Sequence, residues 1–321
     1  MFWFKQIYGV IPGFFLTVLK HPLVYTRANK EAARRTKELA MERELPYEIP
    51  LYRPDMISHK YRQKYLRPTI LCESRAPEII ALANELGAWR KPDREYAEAC
   101  FDFVKKNVQF TFFQPVLGAV KTLKLGEGIC LDKAGLFIAL CRAGGIPARY
   151  KIYNEAFITP VYRMITTGNP VTKEWYDSLG YFVMHGAAEA FIDGEWLASE
   201  CVQTPEIEAG LGVPLLQLGE DASGSYSYRI PGSTARLERL PPGLIILVSM
   251  SVKLERGFFL PIELQLRETA GKGREILEAG GEEEYDRRAR ETHRATLPEV
   301  SKRLFMALQK ADEEEDRGSL M

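Results

Sequence analysis

An α+β fold is predicted by three features of the 321-residue sequence. Residues 77–107 carry apolar positions at helical spacing. Residues 181–202 read as two strands joined by Asp193-Gly194, a dipeptide suited to a two-residue primed turn. Between them "GEGICLDKAGLFIALCRAGGIPARY", residues 126–150, sets a cysteine at the head of a helix that Gly144-Gly145 closes. The expected architecture is a cysteine-headed helix packed on an antiparallel sheet, with helical N- and C-terminal extensions.

The elements follow in order. Residues 6–19 are uncharged but shorter than the ~20 residues needed to span a bilayer, and no A-x-A cleavage pattern follows a basic start. Apolar residues at 4, 7, 8, 11, 14, 15 and 18 instead trace a helical stripe, bent at Pro12-Gly13. Residues 1–20 are therefore expected to lie on the protein body, on a partner or on a membrane surface. A charged, helical-looking stretch over 27–45 ends at the proline-broken connector "LPYEIPLYRPD". Two helix patterns, 77–88 and 94–107, flank Lys91-Pro92-Asp93. Residues 108–113 and 146–153 read as strands, and 154–180 as a long connection containing Phe157, Tyr162, Trp175 and Tyr176. Beyond residue 205 the pattern loosens until "GLIILVSMSVKL", residues 243–254, which reads as a strand pair or buried strand. Charged helices and a solvated acidic tail close the chain. The expected units are an extension over 1–76, a core over 77–205 and a second extension over 206–321.

Composition excludes several functions. Lys+Arg and Asp+Glu both number 43, so no basic excess points to nucleic acid. Five scattered cysteines, an odd number, suit free thiols in a reducing, cytoplasmic setting. Only His21, His59, His185 and His293 are available as imidazoles, and no cysteine pair has zinc-site spacing. Neither a metal nor a cofactor is expected, and no Asp-rich calcium loop of EF-hand type is present.

Candidate chemistry converges on Cys130. At a helix start, the free N–H groups and the positive dipole end favour a thiolate, while Gly126 and Gly128 leave the backbone open to a substrate. The hairpin turn sets 192 opposite 195 and 187 opposite 200, so His185, Ala187 and Glu200 share a face. Glu200 is then the diagonal neighbour of His185, at roughly 7–8 Å between Cβ atoms. Glu189 shares that face but lies ~13 Å along the strand. A lone cysteine ahead of a helix is more often a small core residue, and a strand histidine is more often structural; the three together in this order are harder to obtain by accident. Cys141 and Cys201 are expected in the core. Arg142 and Arg149 are expected to serve helix-end and core ion pairing.

These residues resemble the transglutaminase-like branch of the papain-like cysteine enzymes. The likeness rests on Gly126-Glu127-Gly128-Ile129-Cys130, Gly145-Ile146-Pro147-Ala148-Arg149, His185, Asp193-Gly194-Glu195-Trp196 and Glu200. It extends back over the helix and strand at 93–110 and so covers about residues 77–205. It implies a papain-like fold with a catalytic triad of Cys130, His185 and Glu200. The implied activity is acyl transfer from a peptide, amide or thioester substrate: hydrolysis in a cysteine peptidase or amidase, or amine transfer in a transglutaminase-type acyltransferase. A non-catalytic peptide-binding protein that kept the fold is the other reading. Three positions depart from the family. Glu200 stands where Asp is usual, Ala187 where an aromatic is common, and Lys124 where papain relatives place an oxyanion-binding glutamine. The Cys130 backbone N–H can serve as one oxyanion donor, with Gln109 and Gln114 as candidates for the second.

Overall fold

The computed structural model describes residues 26–27, 29–35, 44–168, 170–254 and 256–319. The stripe expected over residues 6–19, and with it the expected membrane or partner contact of residues 1–20, lies outside them. Of the remaining N-terminal extension, 26–27 and 29–35 are helical, whereas 44–76 is turns and irregular chain.

Two helices open the core, α1 (Pro77–Leu86) and α2 (Asp93–Asn107). Each begins where a proline fits the first turn or precedes it. Asp93 and Glu95 at the start of α2, with Lys105 and Lys106 at its end, complement the helix dipole. The expected strand at 108–113 shrinks to β1 (Gln109–Phe110), which pairs in parallel with β2 (Glu127–Gly128). Helix α3 (Ala119–Leu125) lies between them. Then comes α4 (Cys130–Ala143), with Cys130 as its first residue.

Every residue of α4 from Leu131 to Arg142 is buried. A helix covered all round is a central one, and its polar side chains must find partners inside. Asp132 accepts backbone N–H bonds from Leu117 (2.8 Å), Gly118 (3.3 Å) and Ile129 (3.3 Å), pinning the first turn of α4 to the preceding loop. Lys133 donates its ammonium to the Val108 carbonyl. Arg142 donates to the carbonyls of Ala148, Arg67 and Glu238 at 2.8–3.1 Å, so it ties the helix end to its surroundings through carbonyls and not through the expected ion pairing.

The sheet against α4 has the order β5–β4–β3–β6, with β7 also on β3, all antiparallel. Its strands are β3 (Ala148–Phe157), β4 (Phe182–Ile192), β5 (Glu195–Ser199), β6 (Ser227–Arg229) and β7 (Ala235–Leu237). The β4–β5 register pairs Ile192 with Glu195 and Phe191 with Trp196. Asp193 and Gly194, at φ 54° and 86°, make the primed turn that fixes it.

Two expectations are corrected. Residues 154–180 are not an open connection: β3 runs on to Phe157, and α5 (Thr159–Thr166) and α6 (Pro170–Leu179) follow. Pro160 and Pro170 are first-turn prolines, a start signal overshadowed by the scattered aromatics. Residues 243–254 are not strand but lie in α8 (Pro242–Leu254); a continuous apolar run has no periodicity with which to tell the two apart. Helices α7 (Pro205–Leu211), α9 (Arg256–Gly280), α10 (Glu282–Thr292) and α11 (Glu299–Ser319) complete the chain. A second apolar cluster unites Phe157, Val161, Ile165, Trp175 and Tyr176 with Phe258, Ile262 and Leu266 of α9. No helix among the described residues is long and apolar enough to cross a membrane.

Strand β4 meets the start of α4 at Gly186. A Cβ built there would lie 2.4 Å from Leu131 Cδ2 and 3.3 Å from the Leu131 backbone nitrogen. Gly186→Ala should push the strand off the helix, at a cost of about 1–3 kcal/mol. Denaturant unfolding beside the wild type checks this; an unchanged midpoint would show that the contact yields freely.

Candidate active site

Cys130 is partly exposed, whereas Cys72, Cys100, Cys141 and Cys201 are buried and all five thiols are free. Cys141 and Cys201 belong to the core cluster. Burial pushes the Cys130 thiol above its ordinary value; His185 and a hydrogen bond from the Gly186 backbone N–H pull it back without reversing the shift. Burial therefore works against the thiolate that the helix start was expected to favour.

His185, 5% exposed, lies between two carboxylates. Its Nε2 is 3.0 Å from Glu200 Oε2 and its Nδ1 is 3.2 Å from Glu155 Oε1. Burial works against an imidazolium here, but the charges of Glu155 and Glu200 overcome it and hold the His185 pKa well above the ordinary histidine range. Glu200, just past the end of β5 and fully buried, also accepts the Tyr153 hydroxyl at 2.7 Å and the Tyr226 hydroxyl at 3.0 Å. One methylene more than aspartate is no obstacle to this contact.

Glu189 is held elsewhere, by Arg149 at 2.7 Å and Arg236 at 3.3 Å. Arg149 also stacks over Trp196, 3.7 Å from its ring centre. Glycines 126 and 128 are each required by the fold. Gly126 ends α3 at φ 63°, and a Cβ at Gly128 would sit 2.6 Å from Asp132 Cβ. Lys124 pairs with Glu78 at 2.5 Å. Gln114 donates to Glu127 at 2.5 Å, and neither it nor Gln109 lines the cavity beside Cys130; Gln203 does.

That cavity joins Cys130, His185, Glu155 and Tyr226 to an otherwise mainly apolar wall, with about 560 Å³ of atom-free space, open mouth included. Val161, Met164 and Ile165 of α5 and Ile262 and Leu266 of α9 form part of the wall. Sequence reasoning missed Tyr153, Glu155 and Tyr226. Tyr153 and Glu155 alternate on one face of β3, and Tyr153 pairs with His185. Extending that strand two residues would have put Glu155 on the face of Tyr153, but only the β3–β4 pairing brings that face to the histidine. Tyr226 carries no local signal. Next to His185, Met184 takes a left-handed backbone (φ 66°) where the β3–β4 register shifts, and its N–H donates to Asn154 Oδ1 at 3.0 Å. Among the described residues no group of three His, Cys, Asp or Glu side chains is placed to hold a metal ion.

Since the folded pKa of His185 is raised, its charge contributes stability fully below the unfolded value of about 6.5, and this is lost as pH rises through the folded value. Glu200→Gln should lower the imidazole pKa, readable by NMR. It should cost roughly 3–5 kcal/mol at pH 6, as for a broken buried pair, and less at alkaline pH. Glu189→Gln should leave the His185 titration where it is. A shift with Glu189→Gln and none with Glu200→Gln would overturn the assignment.

Residues 80–201 match the transglutaminase-like superfamily core. No curated protein matches the chain. Among solved structures, one described as a "Putative Cysteine Protease" from Cytophaga hutchinsonii is 25% identical, with a TM-score of 0.33 over 54% of this chain. The chain spans about half (51%) of that protein. The segment that carries Cys130, His185 and Glu200 thus lies within residues 80–201, which resemble the transglutaminase-like superfamily.

Proposed function

We propose that Cys130, His185 and Glu200 perform acyl transfer through a thioester acyl-enzyme, and that water resolves it, as in a cysteine peptidase or amidase. The observation that carries this reading is the 3.0 Å contact of His185 Nε2 with Glu200 Oε2, in a histidine that shares one cavity with Cys130. Glu200 fixes the ring's orientation and stabilises its charged form, and need not itself transfer a proton.

In this reading the Cys130 sulfur attacks the substrate carbonyl and His185 protonates the departing amine. The Cys130 backbone N–H, at the first position of α4, is a donor with no partner within the helix and serves the developing oxyanion. Gln203, which lines the cavity, supplies the second donor in place of Gln109 or Gln114. Because the resting pair is a thiol beside an imidazolium, the site must lose one proton before the sulfur becomes nucleophilic.

The alkylation rate of Cys130 should therefore climb with pH on the alkaline side of neutral, ahead of the four buried thiols. Limited iodoacetamide followed by peptide mapping at several pH values checks this, and equal labelling of all five would remove the nucleophile and leave a binding protein.

Partitioning tests the outcome of the reaction. With any amide or thioester the protein accepts, rising hydroxylamine or lysine should leave the free acid as the main product. Capture of most of the acyl group by a millimolar amine, against ~55 M water, would show a site built for that amine and replace hydrolysis by amine transfer.

A further inference from the structure

The charges around His185 do not balance. One imidazolium faces two carboxylates, and these are unequally satisfied. Glu200 receives hydrogen bonds from Tyr153, Tyr226 and His185. Glu155 contacts His185 through Oε1 at 3.2 Å, but its Oε2 is buried without a hydrogen-bond partner, and the side chain is 4% exposed. A buried carboxylate oxygen left unpaired is costly. Glu155 lines the same cavity as Cys130, whose farther wall is apolar: Phe157 and Phe182 from the sheet, Val161 and Ile165 from α5, Ile262 and Leu266 from α9. The site thus presents one unsatisfied negative charge beside the reacting sulfur and greasy space beyond it.

We propose that the cavity receives an acyl group carrying an ammonium beside its reacting carbonyl and an apolar side chain beyond: the apolar amino-terminal residue of a peptide or amide. This rests on the reading of Cys130 as nucleophile. An α-ammonium is two bonds from the carbonyl carbon, and Glu155 is one hydrogen bond from the imidazole that serves that carbon, so the two meet without rearrangement. The cation supplies the donor that Oε2 lacks and neutralises the excess charge. Glu155 is also among the charges that hold the Cys130 thiol up, so its pairing with a cation eases ionisation of the sulfur.

An amine bound as the acyl acceptor fits less well. A carboxylate favours the protonated amine, which has no lone pair with which to attack a thioester. The balanced reaction forms the Cys130 S–C bond and breaks the C–N bond, the thiol's proton leaving with the amine by way of His185. Water then cleaves the thioester, releases the free amino acid and returns a proton to sulfur.

Calorimetry on full-length Cys130→Ala tests the ligand without turnover, at a pH of about 6.5 where an α-amine is charged. Phenylalaninamide should bind roughly tenfold or more tightly than N-acetylphenylalaninamide, and more tightly than lysinamide. Adding Glu155→Gln should abolish the preference for the free amine. The comparison in Cys130→Ala alone holds even where that second variant fails to fold. Equal or tighter binding of the acetylated amide, or binding of neither, overturns the proposal. Wild-type turnover separates this from the underlying reaction. Cleavage of the acetylated amide in preference to the free one would keep the nucleophile and sink the ammonium. Selective binding of phenylalaninamide without cleavage or selective Cys130 alkylation would keep the ligand and remove the reaction. Phenylalaninamide acting only as an acyl acceptor would place its amine on the other side of the bond and overturn the proposal.

Discussion

Close contact between the first turn of a fully buried helix and a strand with no side chain at Gly186 sets the geometry on which the rest depends. Helix α4 has no solvent face over Leu131–Arg142, so its position is dictated from every side. Asp132 ties its start to the loop before it, and Arg142 ties its end to three carbonyls. Strand β4 can come against Leu131 only because nothing projects from Gly186. That approach brings the Gly186 N–H to the Cys130 sulfur and His185, the preceding residue, into the same cavity. Close packing and polar satisfaction position these groups together.

The electrostatics follow from dryness. A carboxylate pair around an exposed imidazole would have a modest effect; around a buried one it decides the protonation state. The same desolvation pushes the Cys130 thiol up. The charged groups deeper in α4 are handled differently. Lys133, brought down to about 7 by burial, donates to a carbonyl, and neighbouring Lys105 pairs with Glu208 at 2.7 Å. These contacts lie away from the cavity that holds the sulfur. Among the carboxylates that line the cavity with Cys130, the oxygen left open is that of Glu155.

The cavity is a joint product of the superfamily segment and of what lies around it. Residues 80–201 supply Cys130, His185 and Glu200, but α9 comes from beyond that segment. Its Ile262 and Leu266 face the cavity together with Ile165 of α5, in the second apolar cluster. The segment after residue 205 therefore shapes what can reach the sulfur as well as covering the sheet edge with β6 and β7.

Local chemistry made much of this legible. A cysteine at a helix start, a Gly-Gly stop and an Asp-Gly turn are short-range signals. The turn fixes the β4–β5 register, and from register and the two-residue alternation of strands Glu200 is separated from Glu189. Helix α8 escaped because an unbroken apolar run has no period to read, and α5 and α6 because their prolines were outweighed by scattered aromatics. Tyr153 and Glu155 come to His185 only through the β3–β4 pairing, and Tyr226 arrives from a segment far along the chain. No spacing rule encodes such contacts. The upward push on the Cys130 thiol was equally beyond local reading: a helix end can be seen in sequence, but burial is a property of everything packed around it. The sequence by itself determined that a cysteine heads a helix and which way the hairpin faces, because those depend on neighbours a few residues away. The tertiary structure alone decided the second carboxylate, the protonation state and the apolar wall, because each depends on groups that meet only when the chain has folded.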